Sequence, residues 1–582
     1  MSTRKPRGCA HPHRHGDAVW SDFCAVAPSP ELKQRLKAEL AQARRTLAPS
    51  IAASVGLARS PRVLGFNDGV IVPPDAFPAG TPQAAIRAVA AERAPLRGAV
   101  RVIVVLVDFS DRAMAATAAH FSDLFFSTGK VATGSVREYY REASGGVVDI
   151  VGEVVGPLRM PRTLAWYANG NFGIGRPSGT IRARDLAHDA AKAANAAVNF
   201  APYDNDGNGF VDAFVVVHAG SGGEATGDPG DIWSHKYTLA NAYDADGKKI
   251  YAYLTIPEDA RIGVSAHELG HLLFGFPDLY DEDSTSEGVG NWCLMGGGSW
   301  NGGGDTPAHP SAWCKANQGW VGVTNVTADG VLSLPDVKTS RNVHRLWKDG
   351  AGGPEYFLLE NRQRAGFDRQ LPGDGLLIWH IDEGQPGNTD ENRYKVALVQ
   401  ADGRRDLEGD ANRGDAGDPY PGTNGNTSFN ATSTPSSKAY SGQGSCVSVT
   451  QISASAATMT AKTRVSCGKT LAQEVKRPSD KLKDGKDFPD TKFLKDLRDT
   501  RLPLERPGGF ASTPTDDAGV QIAQRLATIE ALLGIGTGEP FIDASLRPEV
   551  GGPPDDEHED CVRDMAAGDR DAKRSFDTLP PR

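Results

Sequence analysis

One short segment limits what this chain can become: Val264–Gly275, which reads VSAHELGHLLFG. His267 and His271 stand at i and i+4, so a helix through them puts both imidazoles on one face. Two ligands of a zinc ion need that spacing. Glu268 adjoins the first histidine and can lean toward the open coordination position without binding the metal. There it can take a proton and later return it. Zinc so placed lowers the pKa of water from about 15.7 to about 7 and polarises a carbonyl. HExxH also arises by chance on ordinary amphipathic helices, so its neighbours carry weight. Gly275 and Pro277 end the helix. Asp278 follows in PDLYD, where a third ligand would return to the metal, with Asp281 as the alternative. Trp292–Trp300 (WCLMGGGSW) then sets Met295 in a glycine turn, suited to form an apolar floor beneath the histidines.

With 582 residues the chain exceeds one core, and three or four units are expected. Residues 1–95 read as a leader or propeptide-like segment rather than a packed domain. Within it Pro30–Arg45 is a charged amphipathic helix, with Leu32, Leu36 and Leu40 at i, i+4, i+8. Residues 96–326 mix strands and helices. Val100–Val107 (VRVIVVLV), nearly all β-branched, predicts a strand buried on both faces. Ser135 and Glu138 form a capping box that starts a helix, and Val147–Val155 and Ala213–His218 are further strands. Residues 327–466 change texture: short strands separated by Gly, Pro, Asn and Asp, as in a β-sandwich. Residues 467–582 are a charged, Pro-rich tail, expected to be largely disordered apart from a helical island at Val520–Leu533. The fold class is therefore α+β, with an all-β sandwich-like domain after the mixed one.

A net charge of -10 argues against non-specific nucleic-acid binding, which needs a basic face. No run of apolar residues is long enough for a membrane-spanning helix. MSTRKPRG has the basic start of an export signal, but CAHPHRHGDAVWSDF follows where an apolar stretch should be, so no Sec-type signal is visible.

Other segments carry candidate chemistry. Asp204, Asp206 and Asn208 alternate in DNDGNGFVD, with Gly209 for the turn and Asp212 closing, in the ligand order of a shortened calcium loop. Asp415 and Asp418 in RGDAGDPYPG form a weaker calcium candidate. The seven cysteines show no CxxC pattern, and Cys293 with Cys314, and Cys446 with Cys467, are the pairs to test for bridges. A thiolate from Cys9 or Cys24 could occupy an open position on zinc, although a floppy His-rich leader is the blander reading. His218 and His235 are expected to be buried and hydrogen-bonded.

HELGHLLFGFPDLYD followed by GVGNWCLMGGGSW resembles the immune inhibitor A family of secreted bacterial zinc metallopeptidases. The resemblance continues in YDNDGNGFVDAFVVVHAG, IWSH, LLENRQRAGFDRQLPGDGLLIWHIDE and NRGDAGDPYPG, over roughly residues 98–465. It implies a zincin-type catalytic domain, gluzincin- or metzincin-like with HExxH and a Met-turn, followed by a β-domain. It implies a zinc-dependent endopeptidase with Glu268 as general base, protein substrates, structural calcium, a zymogen with a removable propeptide, and secretion. A monomer is expected. One departure concerns the third ligand: relative to most of the family, the segment after the second histidine is one residue longer. Phe274 takes the usual glycine position and Asp278 lies seven residues beyond His271. Two rival functions remain: a non-catalytic surface- or glycan-binding protein using the β-domain, and a zinc hydrolase of non-peptide bonds. The intact Glu268 counts against the first.

Overall fold

The β-branched run near residue 100 becomes the spine of the architecture. In the computed structural model, residues 24–46, 76–77, 95–175, 180–282 and 284–468 are described. All fall in the first of two units, Met1–Gly538. Cys9 and the expected helix at Val520–Leu533 lie outside the described residues.

Strand β2 (Gly98–Asp108) is flanked in parallel by β3 (Val148–Arg159) and β4 (Phe214–His218). Val102 to Val107 are fully buried, as a strand covered on both faces requires. β6 (Lys248–Pro257) continues the parallel set beside β4. The chain then reverses: β5 (His235–Ala245) runs antiparallel to β6. A two-residue strand, β1 (Cys24–Ala25), pairs antiparallel on the outside of β5. The sheet order is β1-β5-β6-β4-β2-β3.

That outermost strand comes from the segment expected to be a leader. Cys24–Ala27 are buried, and Leu32 and Leu36 of helix α1 (Pro30–Thr46) are buried in the same core as the sheet. This part of the leader is packed, because its leucines at i and i+4 have an apolar surface to cover. The side chain of Leu40 is not among those described.

Helix α2 (Val136–Ser144) starts with the capping box of Ser135 and Glu138 and stops at Gly145, whose φ of 70° suits glycine. Its Tyr140 hydroxyl donates to Ala266 O at 2.5 Å and its Tyr139 hydroxyl to Ala308 O at 2.7 Å. The first of these bonds ties α2 to helix α3 (Ile262–Phe274), every residue of which is buried. Gly275 closes α3 in the left-handed conformation, at φ 63°.

Downstream, β7 (Gly322–Val326), β9 (Asn342–Leu346), β10 (Glu355–Arg362), β11 (Gly375–Asp382) and β12 (Val396–Leu398) form a five-stranded sheet. β8 (Gly330–Pro335), β13 (Ser448–Thr450) and β14 (Thr458–Arg464) form a three-stranded one. Alternation decides which face meets what. Phe357, Leu359, Leu376 and Ile378 share a core with Leu334, Val449 and Met459 of the small sheet. Leu358, Leu377, Trp379 and Ile381 point the other way, into the core built around the first sheet. The five-stranded sheet therefore has no solvated face at its centre, and β7 belongs to it although the expected boundary at 326 leaves that strand upstream.

Buried ions hold this junction. Lys315 of helix α4 (Ala312–Asn317) donates to Glu360 at 2.6 Å. Glu360 also receives the Trp379 indole at 2.9 Å and Arg362 at 3.3 Å, and Arg362 grips Asp368. Of the two cysteine pairs tested, Cys446–Cys467 is a disulfide. Cys293 and Cys314 are not bridged: they remain buried thiols, hydrogen-bonded to each other.

Candidate metal centre

Helix α3 brings the two histidines together. Their Nε2 atoms lie 3.1 Å apart, and Asp278 Oδ1 lies 3.1 Å from His267 Nε2 and 3.2 Å from His271 Nε2. Each ring is oriented from behind. His267 Nδ1 sits 3.0 Å from Leu294 O and His271 Nδ1 sits 2.6 Å from Phe276 O. A carbonyl can only accept, so both Nδ1 atoms carry the proton and both Nε2 lone pairs face Asp278. Three electron-rich atoms at this spacing need something positive between them. Donors about 2.0–2.1 Å from a shared zinc in tetrahedral array lie about 3.3 Å apart, close to the triangle observed. Asp278 Oδ1 is buried and satisfied by no hydrogen-bond donor. The residues present therefore fit a zinc ion.

Asp278 can reach the triangle because Gly275 turns the chain at the helix end and lets His271 meet Phe276 O. The extra residue beyond His271 is absorbed in that turn. Asp281 is placed elsewhere: its Oδ2 accepts from Ser286 Oγ at 2.6 Å and Thr285 Oγ1 at 3.1 Å, in the loop that follows. Of the two aspartates weighed for the third position, the structure brings Asp278 to the histidines.

Glu268 is fully buried, and neither of its carboxylate oxygens has a well-directed hydrogen-bond partner. Burial first, and then the Asp278 carboxylate, push its carboxyl well above the ordinary range. The Val26 backbone amide is near enough to oppose this slightly, but that N–H is directed at Ser234 O, at 3.2 Å.

Residues 97–323 match the sequence profile of immune inhibitor A peptidase M6, catalytic domain. The matched segment takes in helix α3 and Asp278. Pre-pro-metalloprotease PrtV of Vibrio cholerae serotype O1 is 33% identical over 237 residues, covering 34% of this chain and 25% of the relative. Immune inhibitor A of Bacillus thuringiensis subsp. alesti is 36% identical over 201 residues, covering 28% of each. The chain thus spans about a quarter of the length of these relatives.

Within the matched segment, Met295 lies under helix α3. A Cβ added to Gly270 would come within 2.9 Å of Met295 Sδ, so glycine at 270 lets the methionine close on the helix backbone. Met295 O also accepts from Leu279 N at 2.7 Å, tying the glycine turn to the segment that carries Asp278. His218 and His235 are both buried. His218 Nδ1 faces Ala219 O at 3.1 Å, and burial drops its pKa to about 4. His235 bridges Trp233 O at 2.7 Å and the Tyr253 hydroxyl at 2.9 Å.

The acidic loops close on themselves. Carboxylate oxygens of Asp204, Asp206 and Asp212 lie within 4.8 Å of one another, and so do those of Asp402, Asp415 and Asp418. Asn208 bonds back within its loop, donating to Asp206 and accepting from Phe210 N at 2.8 Å. Lys248 Nζ reaches Asp204 Oδ2 at 2.7 Å and supplies positive charge there. Asp402 was missed by the sequence reading, since it lies 13 positions before Asp415 and only the folded loop joins them. Cys24, one of the two candidate thiols, is brought to the metal triangle: its Sγ shares a 4.8 Å cluster with His271 and Asp278.

Proposed function

We propose that this chain is a zinc-dependent endopeptidase of zincin type, with His267, His271 and Asp278 holding the metal and Glu268 as general base. The observation that carries the reading is the triangle of two Nε2 lone pairs and Asp278 Oδ1 at 3.1–3.2 Å, with the Glu268 carboxylate buried beside it. When bound, zinc supplies Lewis acidity, which acidifies water and polarises a scissile carbonyl. Leu294 O and Phe276 O keep both imidazoles in the tautomer that can ligate. Asp278 contributes the negative charge that offsets the cation. Glu268 removes the proton from the attacking water, holds it in a site shielded from solvent, and delivers it to the leaving amine. Proteins are the proposed substrates, and the protein acts as a monomer.

The match to an M6 catalytic domain and to two relatives named as a metalloprotease and as immune inhibitor A supports this reading. One relative's name includes a pre-pro form, which favours export with a removable segment. Among the described residues no helix is long and apolar enough to cross a membrane. The loops of Asp204, Asp206, Asn208 and Asp212, and of Asp402, Asp415 and Asp418, are proposed structural calcium sites.

The test is digestion of casein together with metal analysis, on the intact chain and after brief trypsin nicking quenched by a serine-protease inhibitor. Wild-type protein is expected to carry one zinc and, once nicked, to cut casein at internal bonds. Protein without zinc, or cutting equally well as Glu268→Gln, would overturn the assignment.

A further inference from the structure

The strand that extends the first sheet lies across the proposed metal centre. Cys24 pairs with Lys236 and Ala25 with His235, antiparallel, on the outer edge of β5. Val26 N continues the ladder to Ser234 O at 3.2 Å. The three carbonyls that follow are all taken by fixed side chains of the catalytic domain. Ala25 O accepts from the Tyr280 hydroxyl, Val26 O from the Trp233 indole at 2.8 Å, and Ala27 O from the Trp300 indole at 3.1 Å. None of these contacts reads a side chain, so they would hold any extended peptide backbone in the same way. Beyond them, α1 acts as an anchor. Lys33 pairs with Glu287 at 2.9 Å and with Asp410 at 3.3 Å, and Lys37 pairs with Asp410.

Cys24 is 2% exposed, forms no disulfide, and directs its sulfur to the cluster containing His271 and Asp278. Two other buried groups point to a ligand there: Asp278 Oδ1 and the carboxylate of Glu268 both lack a hydrogen-bond donor. A tetrahedral zinc with three protein ligands has one position left, and a thiolate is a strong ligand for it.

We propose that Cys24 supplies a fourth, thiolate ligand to the catalytic metal, while residues 24–27 fill the groove that an extended peptide substrate would take beside β5. The inference rests on the metal-site reading above. On metal binding the thiol gives its proton to solvent and its sulfur takes the position that catalysis needs open. Residues 25–27 meanwhile occupy the edge of β5 and the Tyr280, Trp233 and Trp300 donors. The chain in this state is latent. Cutting away the segment that carries Cys24 frees the coordination position and the strand edge together, and those same donors then receive the substrate backbone.

Cobalt substituted into the full-length protein tests this without relying on activity. A thiolate-to-cobalt charge-transfer band in the near ultraviolet is expected in wild type and in Cys9→Ser. It should vanish in Cys24→Ser, while all three proteins hold one equivalent of cobalt. X-ray absorption of the zinc form should show one sulfur at about 2.3 Å in wild type only. Cobalt bound with no sulfur band, or a band that survives in Cys24→Ser, overturns the Cys24 ligand and leaves the metal site standing. Failure of every variant to retain cobalt overturns both.

Discussion

Replacing Asp278 by alanine removes one corner of the triangle and leaves the two histidines in place, since their Nδ1 atoms are held by Leu294 O and Phe276 O rather than by Asp278. Structural zinc sites of four ligands bind with about 10–16 kcal/mol at neutral pH, or roughly 2.5–4 kcal/mol per ligand if shared evenly. At about 1.4 kcal/mol per decade, losing Asp278 should weaken zinc binding by about two to three orders of magnitude. Orienting groups behind a ligand cost only about 10–100-fold, so the two roles separate by size. Competition against a chromogenic chelator measures the affinity. Asp281→Ala is the matched control, because its carboxylate serves Ser286 and Thr285. That variant should lose thermal stability while keeping zinc affinity within about tenfold. A smaller loss in Asp278→Ala than in Asp281→Ala would refute the assignment of the third ligand.

Glycine 263 gives a prediction whose sign runs against ordinary helix propensity. Gly→Ala within a helix normally gains about 0.5–1 kcal/mol, but a Cβ here would lie 1.9 Å from Ser299 O. Gly263→Ala should therefore lower stability by about 1–3 kcal/mol in urea unfolding, and a gain would show that α3 does not press on the glycine-rich turn. Glu360→Ala leaves Lys315 buried without its partner and should cost about 3–5 kcal/mol, whereas Lys315→Met combined with Glu360→Met should recover most of it. Unchanged stability in the single variant would remove the buried pair from the account. Chelation with EDTA followed by zinc restoration should leave the melting temperature depressed until calcium is added. A melt that calcium does not shift removes the calcium loops.

Local signals were legible because local physics makes them. The VRVIVVLV run needs no distant partner to declare itself a doubly buried strand, and Ser135 with Glu138 writes its own helix start. The i, i+4 histidines and the Gly275 stop describe α3 in the same way. Relations set by tertiary closure were not. Asp402 joins Asp415 and Asp418 only after the loop between them folds back. Lys315, Glu360, Arg362 and Asp368 look like ordinary surface charges until the five-stranded sheet covers them. Cys293 and Cys314 show the limit of spacing: sequence separation says nothing of how two thiols point, and these two settle as hydrogen-bonded neighbours. The packing of residues 24–27 was illegible for a related reason, since this short strand is stabilised by β5 and by side chains more than 200 positions away.

The most direct test of the central claim compares wild type with Glu268→Gln, both nicked briefly with trypsin and quenched with a serine-protease inhibitor, reading zinc content and casein digestion side by side. Glutamine keeps the size of the side chain and cannot accept the proton as carboxylate does. The variant is expected to retain one zinc and to lose digestion of casein. Digestion that persists at wild-type rate in a zinc-loaded Glu268→Gln protein would contradict the claim that this carboxylate moves the proton.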